Sequence, residues 1–196
     1  MQHDNMEPAY AALSEALKRS RDNWRMWSNY AAVAAATAHW PQALQAVQRV
    51  LTLTEGAELP TGVLLDAVGP NGPDPPPPLL GQLFKQAAAS SHASPPLWQA
   101  YATYYQRQGE TGMARECLLK ALRALQGADS VLLAEATCKL AEVTLQGVED
   151  GAVAARELGG VRLQLRGLAA KSAPSDALQA LLARVEEKIC ASAKDH

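Results

Sequence analysis

The chain has 196 residues, 18 basic and 20 acidic side chains, a formal net charge of −2 and 48% hydrophobic residues. That length supports one or two domains with a sizeable core, and the near-neutral balance excludes the uniformly basic surface of a general nucleic-acid binder. Alanine and leucine abound, phenylalanine occurs once and β-branched runs are few, a composition that predicts an all-α fold.

The opening "MQHDNMEPAY" is polar, so no secretory signal is expected. The first helical pattern follows, with Ala9, Leu13, Ala16 and Leu17 on one face. Next comes "WRMWSNYAAVAAATAHWPQALQAVQRVL". Its weakly polar run, Ala31 to Ala38, falls far below the roughly 20 residues of a membrane-spanning helix. Counting from Trp27, Tyr30 and Ala31 stand at +3 and +4, Ala34 at +7, Ala43 at +16, Val47 at +20 and Val50 at +23. Counting from Trp98, the residues Tyr101, Ala102, Tyr105, Ala114, Leu118 and Ala121 take the same offsets. The first three offsets share a face of one helix and the last three a face of a second. Alanines at +4 and +16 let the two helices approach closely.

These offsets resemble the 34-residue tetratricopeptide repeat, a helix hairpin that stacks into a solenoid. The spacing closes at the N-terminus, since Ala9 lies 34 residues before Ala43. From Trp27 to Trp98 is 71 residues, two periods plus three. Placing the extra three in "PNGPDPPPP", where proline forbids regular helix, brings an intermediate repeat into register. Its first helix carries Thr61, Leu64, Leu65 and Val68, and its second Leu80, Phe84 and Ala87. The proline stretch itself reads as an extended, mobile loop. Pro41 suits the first turn of a second helix, with Trp40 as a poor N-cap.

After Leu125 the template fails, because Glu135 and Lys139 would fall on apolar positions. Three seams follow at alternating steps of three and four: Val131, Ala134, Cys138, Ala141, Leu145; Ala154, Leu158, Val161, Leu165, Leu168; and Leu178, Leu182, Val185, Ile189. The predicted architecture is therefore a right-handed superhelix of tetratricopeptide-like antiparallel hairpins over 1–127, followed by a C-terminal cap of longer helices over 128–196. The repeats divide as a partial repeat over 6–22, a repeat over 24–57, a degenerate repeat over 58–94 with its insert at 70–78, and a repeat over 95–127. An end cap shields the apolar face a solenoid otherwise exposes. The N-terminal helix has no such cover, which predicts a C-terminal portion of a longer protein or a shortened isoform.

The strings "LSEALKRSRDNWRMWSNYAAVAAATAHWPQALQAVQRVLTL", "LGQLFKQAAASSHASPPLWQAYATYY" and "GVRLQLRGLAAKS" resemble the C-terminal part of the tetratricopeptide repeat protein 27 family, from about Tyr10 to Lys171. NWRMWSNY and VRLQLRGL are its most specific elements. The resemblance implies a non-enzymatic protein-interaction scaffold, with partners among chaperones or components of splicing particles such as U5, in the cytoplasm and also the nucleus.

The chemistry-bearing residues point the same way. His3, His39, His92 and His196 are scattered, as solvated loop histidines would be, and metal sites need several ligands at matched spacing. Cys117, Cys138 and Cys190 are odd in number and far apart, so neither a disulfide framework nor a CxxC site is specified, and a reducing compartment fits. No GxSxG motif is present, and Gly159 and Gly160 lie inside a helical seam rather than in a phosphate loop. No enzyme activity, catalytic residue, cofactor or metal is expected.

Trp27 and Trp98 are expected in the core, whereas Trp24 and Trp40 lie off the main face, where an interface role is open. Arg25 and Asn29, one turn apart and away from Trp27 and Ala31, are the candidate partner contacts in a concave groove of first helices. Asn29 matches a position at which chaperone-binding repeats place an asparagine on a peptide carboxylate. The equivalents in the Trp98 repeat are Pro96 and Ala100, so a full carboxylate clamp is not encoded. Arg162 and Arg166, with Lys171 beyond, form a second candidate contact for an acidic partner. Their competing reading is charge complementation of a helix C-terminus. A helical-repeat RNA binder is the alternative class, as is a fragment without binding activity of its own; near-neutral charge and the lack of repeated polar pairs favour protein partners, away from any membrane.

Overall fold

The computed structural model describes residues 6–125, 130–147, 151–171 and 176–192, and the described residues form ten α-helices and no strand. The chain divides into two compact units, Met1–Tyr104 and Tyr105–His196. The division falls within the sixth helix, whereas the sequence pattern places its repeat-to-cap boundary at 127/128.

Unit 1 contains α1 (Met6–Arg19), α2 (Trp24–Ala36), α3 (Trp40–Thr54), α4 (Thr61–Val68), α5 (Pro78–Ala89) and most of α6 (Pro95–Arg107). Asn23 starts α2: its side-chain oxygen accepts from the amides of Arg25 and Met26, at 3.1 and 3.4 Å, satisfying donors that a helix start leaves open. Helix α2 ends at Thr37, whose hydroxyl donates to the Val33 carbonyl at 2.9 Å, and Ala38 turns the chain with φ +59°. Glu55 (φ +53°) and Gly56 (φ +90°) end α3. Gly56 is needed twice over, since a Cβ there would also press on Ser90 at 2.9 Å.

α2 packs on α1, α3 and α4, and α3 on α4 and α5. The close-approach residues Ala31, Ala34, Ala43, Val47 and Ala87 are fully buried, as is Phe84. The Phe84 ring lies parallel to Tyr101 at 5.0 Å between centroids, in the offset range that favours aromatic pairs. Leu97 and Ala100 of α6 join this core, and Ala102 is buried.

Several expectations need correction. Trp40 is buried rather than peripheral: α3 begins at Trp40 itself, with His39 at the N-cap and Pro41 in the first turn, so the indole starts inside the helix and tucks into the core. Trp27 and Trp98 are half-buried. Trp27 lies at the core's edge, where its indole N–H donates to the Arg21 carbonyl at 2.8 Å; at its own repeat, Leu97 rather than Trp98 reaches the unit 1 core. Leu64 and Val68 are buried as expected, but Leu65 is 38% exposed while Val63 and Ala67 are buried, because the inward stripe of α4 runs through 63, 64, 67 and 68. The proline segment is not extended throughout, because its start turns back on the end of α4. Gly72 donates to the Gly69 carbonyl at 3.1 Å, and its backbone lies so close to the Ala67 carbonyl that a Cβ would collide with it.

Unit 2 comprises the end of α6 from Tyr105, α7 (Thr111–Ala124), α8 (Ser130–Gly147), α9 (Gly151–Lys171) and α10 (Asp176–Ser192). α8 packs on α7, α9 and α10, and α9 on α10. Ala114, Leu118 and Ala121 are buried and Tyr105 half-buried. In α9 and α10 the expected seams are found at Leu158, Val161, Leu165, Leu178 and Val185, with Leu182 and Ile189 half-buried. In α8 the expected stripe is displaced. Of its described members only Ala141 is buried, while Ala136, Thr137, Leu140, Val143 and Thr144 occupy the interior. A helix with neighbours on three sides buries a wide arc, and both threonines enter it by donating to carbonyls one turn back, Leu133 and Leu140, at 2.7 Å. The side chains of Val131, Ala154, Leu168 and Lys171 lie outside the described set, as do His3 and His196.

Candidate functional site

The outward stripe of α2 carries Arg25, Asn29, Ala32 and Ala36, spaced so that all four share one face, and all four are exposed. Arg25 sits in the first turn, which holds no acidic residue. A cation at the positive end of a helix is unfavourable. Its guanidinium lies 5.4 Å from the centroid of the half-buried Trp24 ring, a cation–π geometry that offsets part of that cost. Asn29 is one turn further on. Its counterpart in the next tryptophan-bearing repeat, Ala100, is fully buried in the unit 1 core, so the two positions do different work.

Where the stripe reaches the end of α2, a groove of about 590 Å³ opens between α2 and α4. Ala32, Ala35 and Ala36 form one wall, Leu65 and Asp66 the other, and Asn71 of the proline segment closes the end, with an edge of Trp40 accessible beneath. The walls are methyl groups and one exposed leucine. Such a surface accommodates an extended chain, and the Asp66 carboxylate is the one ionisable group on it. Among the described residues no three His, Cys, Asp or Glu side chains are placed to hold a metal ion, and no helix is long and apolar enough to cross a membrane.

Arg162 and Arg166 do not form one basic patch. Both Nε and Nη2 of Arg166 donate to Glu186 on α10, while Arg162 is half-buried with its Nε hydrogen-bonded to nothing. Arg162 stands more than two turns from the end of α9, too far for the helix dipole, which acts within the last turn. His39 is not a solvated loop histidine: its ring stacks on Tyr10 at 4.4 Å and Nδ1 lies 2.9 Å from the Thr37 hydroxyl. Tyr10 in turn stacks on Tyr30 at 5.2 Å, with the two hydroxyls 3.1 Å apart. Burial and then the Tyr10 hydroxyl push the Tyr30 phenol up to about 12. Burial likewise pushes the Cys117 thiol up to about 11, a thiol poorly suited to nucleophilic work. His92 is exposed.

Among the described residues, ten helices with hairpins at repeat offsets define an all-α, helical-repeat type of fold. No family model matches the chain. It is similar to the TPR repeat-containing protein C19B12.01 of Schizosaccharomyces pombe, at 26% identity over 175 residues. That match takes in 84% of this chain and 21% of the yeast protein, so the chain spans about a fifth of the length of this curated relative.

Proposed function

We propose that the chain is a non-enzymatic protein-interaction scaffold whose α2 stripe and α2–α4 groove receive an extended segment of a partner protein. The groove between Ala32, Ala36 and Leu65 carries this reading, and the similarity to a TPR repeat-containing protein supports it. On the resemblance of NWRMWSNY and VRLQLRGL, the chain is a divergent member of the tetratricopeptide repeat protein 27 family, acting in chaperone-assisted assembly of complexes such as the U5 particle, in the cytoplasm and nucleus.

Affinity capture from cell lysate tests it, with the wild-type chain, Arg25→Ala/Asn29→Ala and Leu65→Asp, all with unchanged melting temperature. Chaperones or splicing-particle components captured by the wild type and lost from both variants is the expected result; identical capture by all three overturns the groove. Arg25→Glu separates binding from stability. It should raise stability by roughly 0.3–1 kcal/mol, by relieving the helix-dipole conflict, while weakening partner capture.

A further inference from the structure

A second concavity, of about 330 Å³, lies where α1, α2 and α3 meet. Leu17, Trp27 and Tyr30 give it apolar walls, while Arg21, Gln42 and Gln45 supply donors. No acidic side chain lines it. Its surroundings are cationic although the whole chain is not: residues 14–27 hold four basic and two acidic side chains. Both acids are already engaged. Glu15 pairs with Lys18 on its own helix at 2.6 Å, and Asp22 with Arg49 of α3 at 2.9 Å. No acidic side chain among the described residues pairs with the Arg21 guanidinium.

The short link that carries Arg21 is held at three points. The Trp27 indole grips its carbonyl, Arg49 holds the next residue, and Asn23 is fixed as the cap of α2. An arginine presented from a pinned link, beside two amides and an indole face, has its backbone already placed and only its own side-chain rotamers left to fix on meeting an anion. Guanidinium and amide donors match a carboxylate, and the apolar walls match an adjoining hydrophobic side chain.

We propose that this cleft docks an acidic segment of a partner protein, with an Asp or Glu carboxylate on Arg21 and a neighbouring aromatic or aliphatic side chain against Trp27. The site is separate from the α2–α4 groove, so a partner chain could be held at two places.

The test is selection of dodecamer peptides from a random phage library on the intact chain. NMR titration of the selected peptides follows, with the Trp27 indole resonance assigned by its loss in Trp27→Phe. The expected outcome is enrichment of Asp or Glu beside aromatic or aliphatic residues, displacement of the Trp27 indole resonance, and a Kd raised about tenfold or more by Arg21→Glu but little by Leu65→Asp. Peptides that are not acidic, or that bind Arg21→Glu as tightly as wild type, overturn the proposal, as does a selection that yields nothing. Peptides that displace resonances of Ala32 and Leu65 instead sink this cleft while leaving the groove reading intact. Tighter displacement of the Trp27 resonance by a uridine pentadecanucleotide than by any peptide makes the cleft a nucleic-acid site and also overturns the proposal.

Discussion

In Met1–Tyr104 aromatic rings are packed among the alanine, leucine and valine where the helices meet; in Tyr105–His196 the buried set among the described residues is chiefly alanine, leucine and valine, with two back-bonded threonines and no buried aromatic ring. All four tryptophans and the phenylalanine belong to the first unit, and Tyr105 is the sole aromatic residue of the second. Aromatic rings need particular partners at particular distances, as Phe84 has in Tyr101 and Tyr30 in Tyr10, and alanines must stand where backbones nearly touch. Aliphatic seams accept many registers. The first kind of packing therefore leaves a readable mark in the sequence, and the second leaves only a period.

Substitutions can break or sharpen that contrast. Phe84→Ala removes a fully buried ring and its stacking partner and should cost about 3–5 kcal/mol, read as a lower midpoint of tryptophan-detected urea unfolding; a loss under about 1 kcal/mol would show that the ring is dispensable. Leu165→Ala, in the aliphatic unit, empties a site of zero exposure and should cost about 2–5 kcal/mol. The unit that lacks aromatic pairing should fill the hole better and so fall in the lower half of that range.

At the fourth tryptophan, Trp98, the contrast is internal. Leu97 is 1% exposed, so Leu97→Ala should cost about 2–5 kcal/mol, whereas Trp98→Ala should stay below the 3–5 kcal/mol, roughly, of a fully buried tryptophan. Equal losses in calorimetry would return Trp98 to the core.

A subtler effect belongs to Tyr30. Its phenol is raised in the folded chain to about 12 from a tyrosine's ordinary 10.0. A raised folded value contributes stability that is complete below the unfolded value and is lost as pH rises through the folded one. Stability should therefore fall between about pH 10 and 12 by more in wild type than in Tyr30→Phe, with matched curves as the contrary result. Smallest of all is Thr144→Val: its hydroxyl only returns to the Leu140 carbonyl, and the exchange should change stability by less than about 1 kcal/mol.

Much of the first unit was legible in sequence for a physical reason. Leu80, Phe84 and Ala87 fell into register across nine irregular residues because a repeat constrains its neighbour, and each of them is fully buried. Trp40 was misplaced because its offset belongs to the turn of the repeat template, while this chain starts α3 one residue after its N-cap. The α8 stripe was missed because hydropathy counts Thr137 and Thr144 as polar, and only their bonds to the preceding turn make them interior residues. Arg25 and Asn29 were found as exposed neighbours on one helix. The α1–α2–α3 cleft was not, since it draws on three helices; its available signal was the basic run "LKRSRDNWR" in an otherwise balanced chain.

The α2–α4 groove shows how a recess arises in a helical array. α4 has eight residues where α2 has thirteen, a shortfall of roughly 7 Å of helix, and the groove is bounded by Gly69, Pro70 and Asn71, at the point where a full-length helix would have continued. A repeat array can thus acquire a recess by subtraction. Prolines end one helix early, the next helix resumes in register, and the missing turns leave an open recess. Such a change needs no new side chain at the site, which makes the length of one helix, rather than the identity of its residues, the variable on which selection for a new partner could act.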